Sequence, residues 1–184
     1  FYRGQPPFQI VDGIPTWYPL TPAWTSYFYM VCQTIAMRYA FGRRASRLRV
    51  DVVHAHGVIP AGDPGLRIAR RHRRPLVVTA YGSDLNLYPQ YRSLRGLVRR
   101  VLDSADVIVT VSRSLAKLAQ ELGRPRRVEW IPIGYDPARF HPGSGHREPV
   151  VLYAGRLFHA KGLEELIAAW PSVRQRRSKA RLRL

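Results

Sequence analysis

Residues 75–84 have the sequence PLVVTAYGSD, in which an apolar run ends abruptly in turn-forming residues. The first half, 75–79, predicts a short buried strand, and the second half predicts a turn. Apolar runs of similar length recur at 50–55, 107–111 and 128–131, and helical segments separate them. Such an alternation predicts an α/β fold with a Rossmann-like, doubly wound parallel sheet that is covered on both faces. Ligands bind such sheets at the carboxyl ends of the strands.

The segments between these strands predict helices over 62–71, 93–102 and 113–122. The third is the best defined, because Ser112 can cap its start, Gly123 can end it, and apolar residues recur at i, i+3, i+4 and i+7. A further helix is expected within 23–40, where polar residues interrupt an apolar stretch that is therefore unsuited to span a membrane. Cys32 lies in this stretch and is expected to be a packed apolar position without a catalytic role.

A second domain is expected to follow a Pro- and Gly-rich break. The predicted organisation is a first domain over 1–140 that is incomplete at its N-terminus, a linker over 141–149, and the start of a second Rossmann-like domain over 150–184. This last part has a strand at 150–154, a helix with an apolar stripe, and the beginning of another strand at 180–184. We expect it to be truncated, because one strand and one helix cannot bury a core.

The chain is strongly basic, with a formal net charge of +18. Three of its 30 basic residues are lysines, which leaves 27 arginines. This charge is compatible either with a solvated basic surface or with an anionic partner, such as an acidic membrane surface or a phosphate-bearing substrate. A nucleic acid is not an expected partner, because no recognised binding motif accompanies the charge. Two clusters are densest: Arg67, Arg70, Arg71, Arg73 and Arg74, and Arg174, Arg176, Arg177, Lys179, Arg181 and Arg183.

The segment 153–162, YAGRLFHAKG, carries the clearest chemistry. Gly155 permits close approach of a ligand to the backbone, and Arg156 can bind phosphate oxygens in a bidentate manner. Lys161 adds a second positive charge beside the start of a helix, whose free N–H groups and dipole favour anions. These features suit a diphosphate. The alternative is an ordinary strand-to-helix turn that carries two surface charges.

With this segment, five segments in order resemble motifs of family 4 glycosyltransferases, over roughly residues 50 to 170. Gly155-Arg156-Leu157 followed by Lys161-Gly162 is similar to the family's "GRL…KG" segment. The other four are DVVHAH at 51–56, TAYGSD at 79–84, ADVIVTVS at 105–112 and IPIGYDPARF at 131–140. The resemblance implies a GT-B fold and a retaining transfer of sugar from a nucleotide diphosphate sugar to an acceptor hydroxyl, without a metal or other cofactor.

The resemblance also implies roles for particular residues. Arg156 and Lys161 would be catalytic, because they would stabilise charge on the leaving diphosphate. Gly155 would contact the nucleotide sugar, and Tyr81, Gly82, Asp84 and His56 would contact substrate. The acceptor would be a glycan or a lipid-linked molecule, and the enzyme would be cytoplasmic, on the cytoplasmic face of an anionic membrane.

Several positions have competing interpretations. Tyr81 stands where the family usually has a histidine that reaches the transferred sugar, and Ile133 stands where it usually has asparagine. Asp84 could bind acceptor hydroxyls or could be an Asx-turn residue. His56 is expected to line the cleft, whereas His54 is expected to be a satisfied core histidine. A metal site at these two histidines is not expected, since further ligands are lacking.

Two other functions remain as alternatives. The chain could be a non-catalytic fragment that binds anionic surfaces or partners, because the family's acidic motif and its nucleotide-recognising segments would lie beyond Leu184. A sugar-nucleotide epimerase of the same fold is disfavoured by the spacing of the "GRL…KG" segment.

Glu164 and Glu165 are expected to complement the dipole of the helix that follows Lys161, not to form a catalytic pair.

Overall fold

The structure is a computed structural model that describes residues 8–18, 27–45, 49–143, 145, 148–157 and 159–184. The chain divides into two compact units between Gly134 and Tyr135. The domain boundaries expected from the sequence stay a prediction. Three parts of the predicted segments lie outside the described residues: 23–26 of the first helix, Ser144, His146 and Arg147 of the linker, and Phe158 of the "GRL…KG" segment.

The first unit contains six strands and five helices among its described residues. In chain order they are β1 (Phe8–Val11), β2 (Ile14–Trp17), α1 (Tyr27–Ala45), β3 (Val53–His56), α2 (Asp63–His72), β4 (Leu76–Ala80), α3 (Ser83–Asn86), α4 (Arg92–Ser104), β5 (Val107–Thr110), α5 (Arg113–Leu122) and β6 (Val128–Trp130). A π-helical turn over Val58–Gly62 leads into α2, and a 3-10 turn over Tyr88–Gln90 leads into α4.

Strands β3, β4, β5 and β6 form one parallel sheet in chain order, which confirms the predicted α/β architecture. The strand β3 begins at Val53 rather than at residue 50, β5 and β6 each end one residue before their predicted runs, and β4 is shifted by one residue relative to 75–79. Ser112 caps α5 as predicted, since its hydroxyl accepts a hydrogen bond of 3.3 Å from the Leu115 amide. At the other end of the helix, the Gly123 amide donates a hydrogen bond to the Ala119 carbonyl.

The core lies on one face of this sheet. Ala55, Val78 and Ile108 stand side by side in register and are buried. Helices α2, α4 and α5 supply the opposing side chains, among them Leu66, Leu94, Val98, Val101, Leu102, Leu115 and Ala119. Because side chains alternate along a strand, the neighbouring residues His54, His56 and Thr79 lie on the opposite face.

A buried carboxylate ties three helices together at the edge of this core. Asp63 begins α2 with 2% of its surface exposed, and it accepts a hydrogen bond of 2.5 Å from Arg38 of α1. Arg100 of α4 lies 3.0 Å from its other oxygen, and Arg67 lies 3.8 Å away. We call these four residues the Asp63 cluster. The hydrogen bond to Asp63 raises the pKa of Arg38.

Two features of the N-terminal part differ from what the sequence predicts. The β1–β2 hairpin was not predicted, and it turns through Asp12 and Gly13, which both have positive φ. Cys32 lies within α1 as expected, but it is half-buried rather than fully packed.

The second unit contains β7 (Val150–Leu152), α6 (Leu163–Arg176) and β8 (Arg181–Arg183). β7 and β8 pair in parallel as a two-stranded sheet separate from the first, so the strands expected at 150–154 and 180–184 are confirmed. The predicted stripe of α6 is only half-buried, and Ile167 is 49% exposed. Ala180 is the only buried residue in the described part of this unit. Its elements therefore share little core of their own.

Within the part of the chain that the structure describes, no helix is both long and apolar enough to cross a membrane.

Asp63→Asn should destabilise the first unit by about 2 kcal/mol, because it removes the charge that three arginines share at a buried position. The measurement is the free energy of urea unfolding, followed by circular dichroism. Asp51→Asn is the matched control, since Asp51 is 91% exposed and its pairing with Arg74 spans 3.6 Å. Equal unfolding free energies for the two variants would contradict a structural role for the Asp63 cluster.

Candidate functional site

The carboxyl ends of β3 and β4 hold the first group of predicted site residues. A glycine with positive φ follows each strand. Gly57 comes directly after β3 and has φ of +98°, and Gly82 comes two residues after the end of β4 and has φ of +144°. L-residues rarely adopt these conformations, so both turns favour glycine. The Gly57 amide donates a hydrogen bond of 2.8 Å to the Thr79 carbonyl, which joins the first turn to β4.

Asp84 organises both turns through its carboxylate. Its Oδ2 accepts a hydrogen bond of 2.9 Å from the Val58 amide, after β3. Its Oδ1 accepts hydrogen bonds from the Tyr81 and Gly82 amides, at 3.2 and 2.9 Å. The residue is 5% exposed. Asp84 is thus the turn residue that the sequence allowed as one interpretation, and its contact with an acceptor stays a prediction.

His56 and Tyr81 form an exposed pair beside the two turns that Asp84 holds. The His56 Nδ1 and the Tyr81 hydroxyl oxygen are 2.6 Å apart, and the two rings stack with an interplanar angle of 21°. Tyr81 is 49% exposed, so a ligand can reach its side chain. The structure therefore brings four predicted site residues together: His56, Tyr81, Gly82 and Asp84.

His54 is not the core histidine that the sequence suggested. It is exposed, and it lies on the face of the sheet opposite the core, in the strand β3 at one end of the strand order β3-β4-β5-β6. Its Nε2 is 2.8 Å from the hydroxyl oxygen of Thr79, which is buried, and its ring centroid lies 4.3 Å from that of His56. Partial desolvation of the imidazole lowers the pKa of His54, and the charge that His56 can carry lowers it further.

The remaining predicted site residues lie in the second unit. Gly155, Arg156 and Lys161 follow β7, and a 3-10 turn over His159–Lys161 precedes the helix α6. The Tyr153 hydroxyl donates a hydrogen bond of 2.7 Å to the Arg156 carbonyl. A Cβ at position 155 would lie 3.1 Å from that hydroxyl oxygen, so glycine gives the turn its room.

Both cations of this segment are accessible. Arg156 and Lys161 are exposed, and within the described residues neither forms an ion pair. Gly162, with φ of +69°, is the N-cap of α6. Glu164 and Glu165 occupy the first helical turn, where carboxylates complement the dipole, and Glu164 lies 3.4 Å from His159.

One residue of the strand-end edge was missed by the sequence analysis. Trp130 ends β6 at the same edge of the sheet as His56, is 45% exposed, and lies under the guanidinium of Arg113 at 4.4 Å. Its position directly after an apolar strand was the available signal. In the described residues, no group of three or more His, Cys, Asp or Glu side chains could hold a metal ion.

A family comparison covers most of the first unit. The model of Glycosyltransferase Family 4 matches residues 3–139.

Curated relatives are similar to this chain over 69% to 92% of its length. The protein named teichuronic acid biosynthesis glycosyltransferase TuaC from Bacillus subtilis (strain 168) is 28% identical over 92% of this chain and 47% of its own length. A glycogen synthase of Mycobacterium tuberculosis (strain ATCC 25618 / H37Rv) is 30% identical over 79% of this chain and 40% of its own. A GDP-mannose-dependent alpha-(1-6)-phosphatidylinositol monomannoside mannosyltransferase of Mycolicibacterium smegmatis is 32% identical over 69% and 36%. The chain thus spans about half the length, or less, of these relatives.

A solved structure shows the same fold. Sucrose-phosphate synthase from Thermosynechococcus elongatus superposes with a TM-score of 0.56 over 71% of this chain and 70% of that one, at 13% identity. This likeness confirms the Rossmann-like, GT-B type architecture.

The lowered pKa of His54 predicts a pH-dependent stability. The unfolded chain takes up a proton at the ordinary histidine pKa of about 6.5, whereas native His54 takes it up only at lower pH. The contribution of His54 is therefore fully present above about pH 6.5 and declines as the pH falls toward its native pKa. Urea unfolding at several pH values between 7.5 and 5 should show a smaller loss of stability for His54→Gln than for the unmodified chain. Parallel curves would show that His54 titrates normally.

Proposed function

This chain belongs to glycosyltransferase family 4, and we propose that it works in an enzyme that transfers a sugar from a nucleotide diphosphate sugar to an acceptor hydroxyl. In this proposal the anomeric configuration is retained, and no metal or other cofactor takes part. The acceptor is a glycan or a lipid-linked molecule.

The observation that carries the proposal is the accessible polar cluster at the strand ends of a unit that matches the family almost throughout. His56 and Tyr81 are exposed there, on turns that buried Asp84 holds by three backbone amides. Hydroxyl and imidazole groups are suited to bind sugar hydroxyls, because both can donate and accept hydrogen bonds. We assign this cluster to contact with the sugar.

Arg156 and Lys161 are the residues that we propose for catalysis. Negative charge grows on the departing nucleotide diphosphate, and fixed positive groups lower the energy of that transition state. Both side chains are exposed and are therefore available to a ligand. The backbone of Gly155 contacts the diphosphate in this proposal, since the glycine leaves room beside the chain.

A second proposal concerns the surroundings of the enzyme, which we place on the cytoplasmic face of an anionic membrane. It rests on a groove of about 630 Å³ between α1 and α2, called here the α1–α2 groove. Positive side chains and apolar side chains meet there: Arg38, Arg67, Arg71, Ile35, Tyr39 and Ile68. Ile35 is 44% exposed and Tyr39 is 79% exposed. Basic groups beside exposed apolar groups suit the boundary between lipid headgroups and acyl chains.

The competing interpretation is a non-catalytic polypeptide that binds an anionic surface. The two interpretations differ in turnover. Release of nucleoside diphosphate from UDP-glucose or GDP-mannose, measured with this chain alone and with the natural polypeptide that carries it, separates them. Binding to anionic vesicles without turnover in either form would favour the non-catalytic alternative.

Arg156→Ala and Lys161→Ala should each lower kcat about 10²-fold or more in the natural polypeptide that carries this chain, with a smaller change in KM for the nucleotide sugar. The reason is that the charge they oppose grows in the transition state. Arg156→Lys should restore part of the rate, because lysine keeps the charge but not the planar fork. Arg176→Ala, an exposed arginine near the end of α6, is the matched control and should leave kcat unchanged. Unmodified rates in both alanine variants would show that the site assignment is wrong.

The double variant Arg67→Gln/Arg71→Gln should bind vesicles that contain phosphatidylglycerol about thirtyfold more weakly, since each charge near an anionic surface contributes about 1 kcal/mol and two are removed. Turnover with a soluble acceptor should be unchanged. Arg92→Gln/Arg95→Gln removes two exposed arginines from α4 and is the control of equal charge. Equal loss of binding in both double variants would indicate diffuse attraction and not the α1–α2 groove. The assay is co-sedimentation with and without the anionic lipid.

A further inference from the structure

We propose that His56 is a positioning residue for Tyr81, and that it directs the Tyr81 hydroxyl toward a hydroxyl group of the transferred sugar. This inference rests on the proposed function and adds a division of labour between the two residues. Tyr81 touches the sugar, whereas His56 acts through Tyr81.

The geometry holds the tyrosine at both of its ends. The Tyr81 amide donates a hydrogen bond of 3.2 Å to Asp84, and the Tyr81 hydroxyl lies 2.6 Å from the His56 Nδ1. Asp84 is buried and also binds the amide that follows β3, so the backbone of both strand ends is fixed by one group. The side chain of Tyr81 is therefore confined although it is 49% exposed.

The hydrogen-bonding capacity of a phenol explains why this matters for a sugar. The hydroxyl group has one donor and two acceptor positions. If the Nδ1 of His56 carries no proton, Tyr81 donates to it and its oxygen accepts from the ligand. If Nδ1 carries a proton, it donates to Tyr81, whose O–H is then free to donate to the ligand. In both cases His56 occupies one hydrogen-bonding position of the Tyr81 hydroxyl, and the remaining positions point in a defined direction. A sugar hydroxyl can bind in either case, because it can both donate and accept a hydrogen bond.

The neighbouring histidine shows what a purely structural role looks like. His54 lies on the same strand and face, but its Nε2 is 2.8 Å from the hydroxyl oxygen of buried Thr79 on the neighbouring strand. His56 bonds instead to an exposed side chain at the edge where parallel sheets bind ligands. An exposed hydrogen bond contributes little to the free energy of folding. We therefore assign the His56–Tyr81 pair to ligand binding rather than to stabilising the fold.

The kinetic test uses the natural polypeptide that carries this chain, with UDP-glucose and GDP-mannose as donors, and compares kcat/KM. Tyr81→Phe and His56→Leu should each lower kcat/KM about tenfold, as expected for one lost hydrogen bond to a ligand. The double variant should be no worse than either single one, because the two residues act as a unit. His56→Asn should recover most of the rate, since the asparagine amide can occupy the place of Nδ1.

Two kinetic results would overturn the proposal. One is a double variant whose loss equals the product of the two single losses. The other is an Asn variant as slow as the Leu variant. The midpoint of urea unfolding should stay unchanged in all four variants, which separates positioning from a loss of stability.

A spectroscopic test decides the pairing without relying on turnover. In ¹⁵N imidazole spectra of this chain, Tyr81→Phe should shift the His56 Nδ1 resonance, assigned by its absence in His56→Asn. Tyr39→Phe, a change at an exposed tyrosine of α1, is the control and should not shift it. An unshifted His56 resonance in Tyr81→Phe overturns the pairing even if the enzyme transfers sugar. A shifted resonance together with no turnover of either donor would instead place the failure in the proposed function.

Discussion

The need to bury one face of the parallel sheet determines the placement of nearly every other group in the first unit. Ala55, Val78 and Ile108 must point toward the helices, and neighbouring strands pair in the register that aligns them. A shift of one residue in any strand would expose its core side chains, so the register is strongly specified. His56 pairs with Thr79 in this register, and Tyr81 lies two residues further along the same face. The register of the core therefore places the histidine and the tyrosine close enough for the 2.6 Å contact of their side chains.

Two buried carboxylates fix groups whose positions apolar packing does not determine. Each carboxylate binds several polar or charged groups from different segments of the chain. Asp84 accepts three backbone amides that the two strand-end turns cannot pair among themselves. Asp63 gathers arginines from α1, α2 and α4. Buried carboxylates are costly unless they are paired, so each one forces its neighbours into a narrow set of positions. The first supports the candidate sugar contact, and the second supports the wall of the α1–α2 groove.

The sequence predicts the sheet and the strand-end residues well because both follow from short-range patterns. Apolar runs of four or five residues and the glycines after them can be seen without knowledge of the fold. It predicts the partners of polar side chains poorly. The Asp63 cluster joins residues up to 62 positions apart, and nothing near Asp63 in the chain indicates burial. His54 was misplaced for a related reason: an apolar strand does not reveal which of its faces is covered. The hydrogen bonds of Asp84 show that it is a turn residue, which its sequence neighbours only allowed, and its contact with an acceptor stays a prediction.

The physical setting of Arg156 and Lys161 differs from that of the strand-end cluster. Both cations are exposed on a unit whose described residues bury only Ala180. In water, opposite charges 4 Å apart attract with about 1 kcal/mol, and at the effective dielectric constant of a protein surface with about 4 kcal/mol. The effect that we assign to each residue requires the second regime. Packing within the second unit does not supply it, because its elements share almost no core. The charges can act at full strength only where a bound ligand and surrounding protein exclude water, so the catalytic contribution that we propose for them depends on groups beyond the turn that carries them.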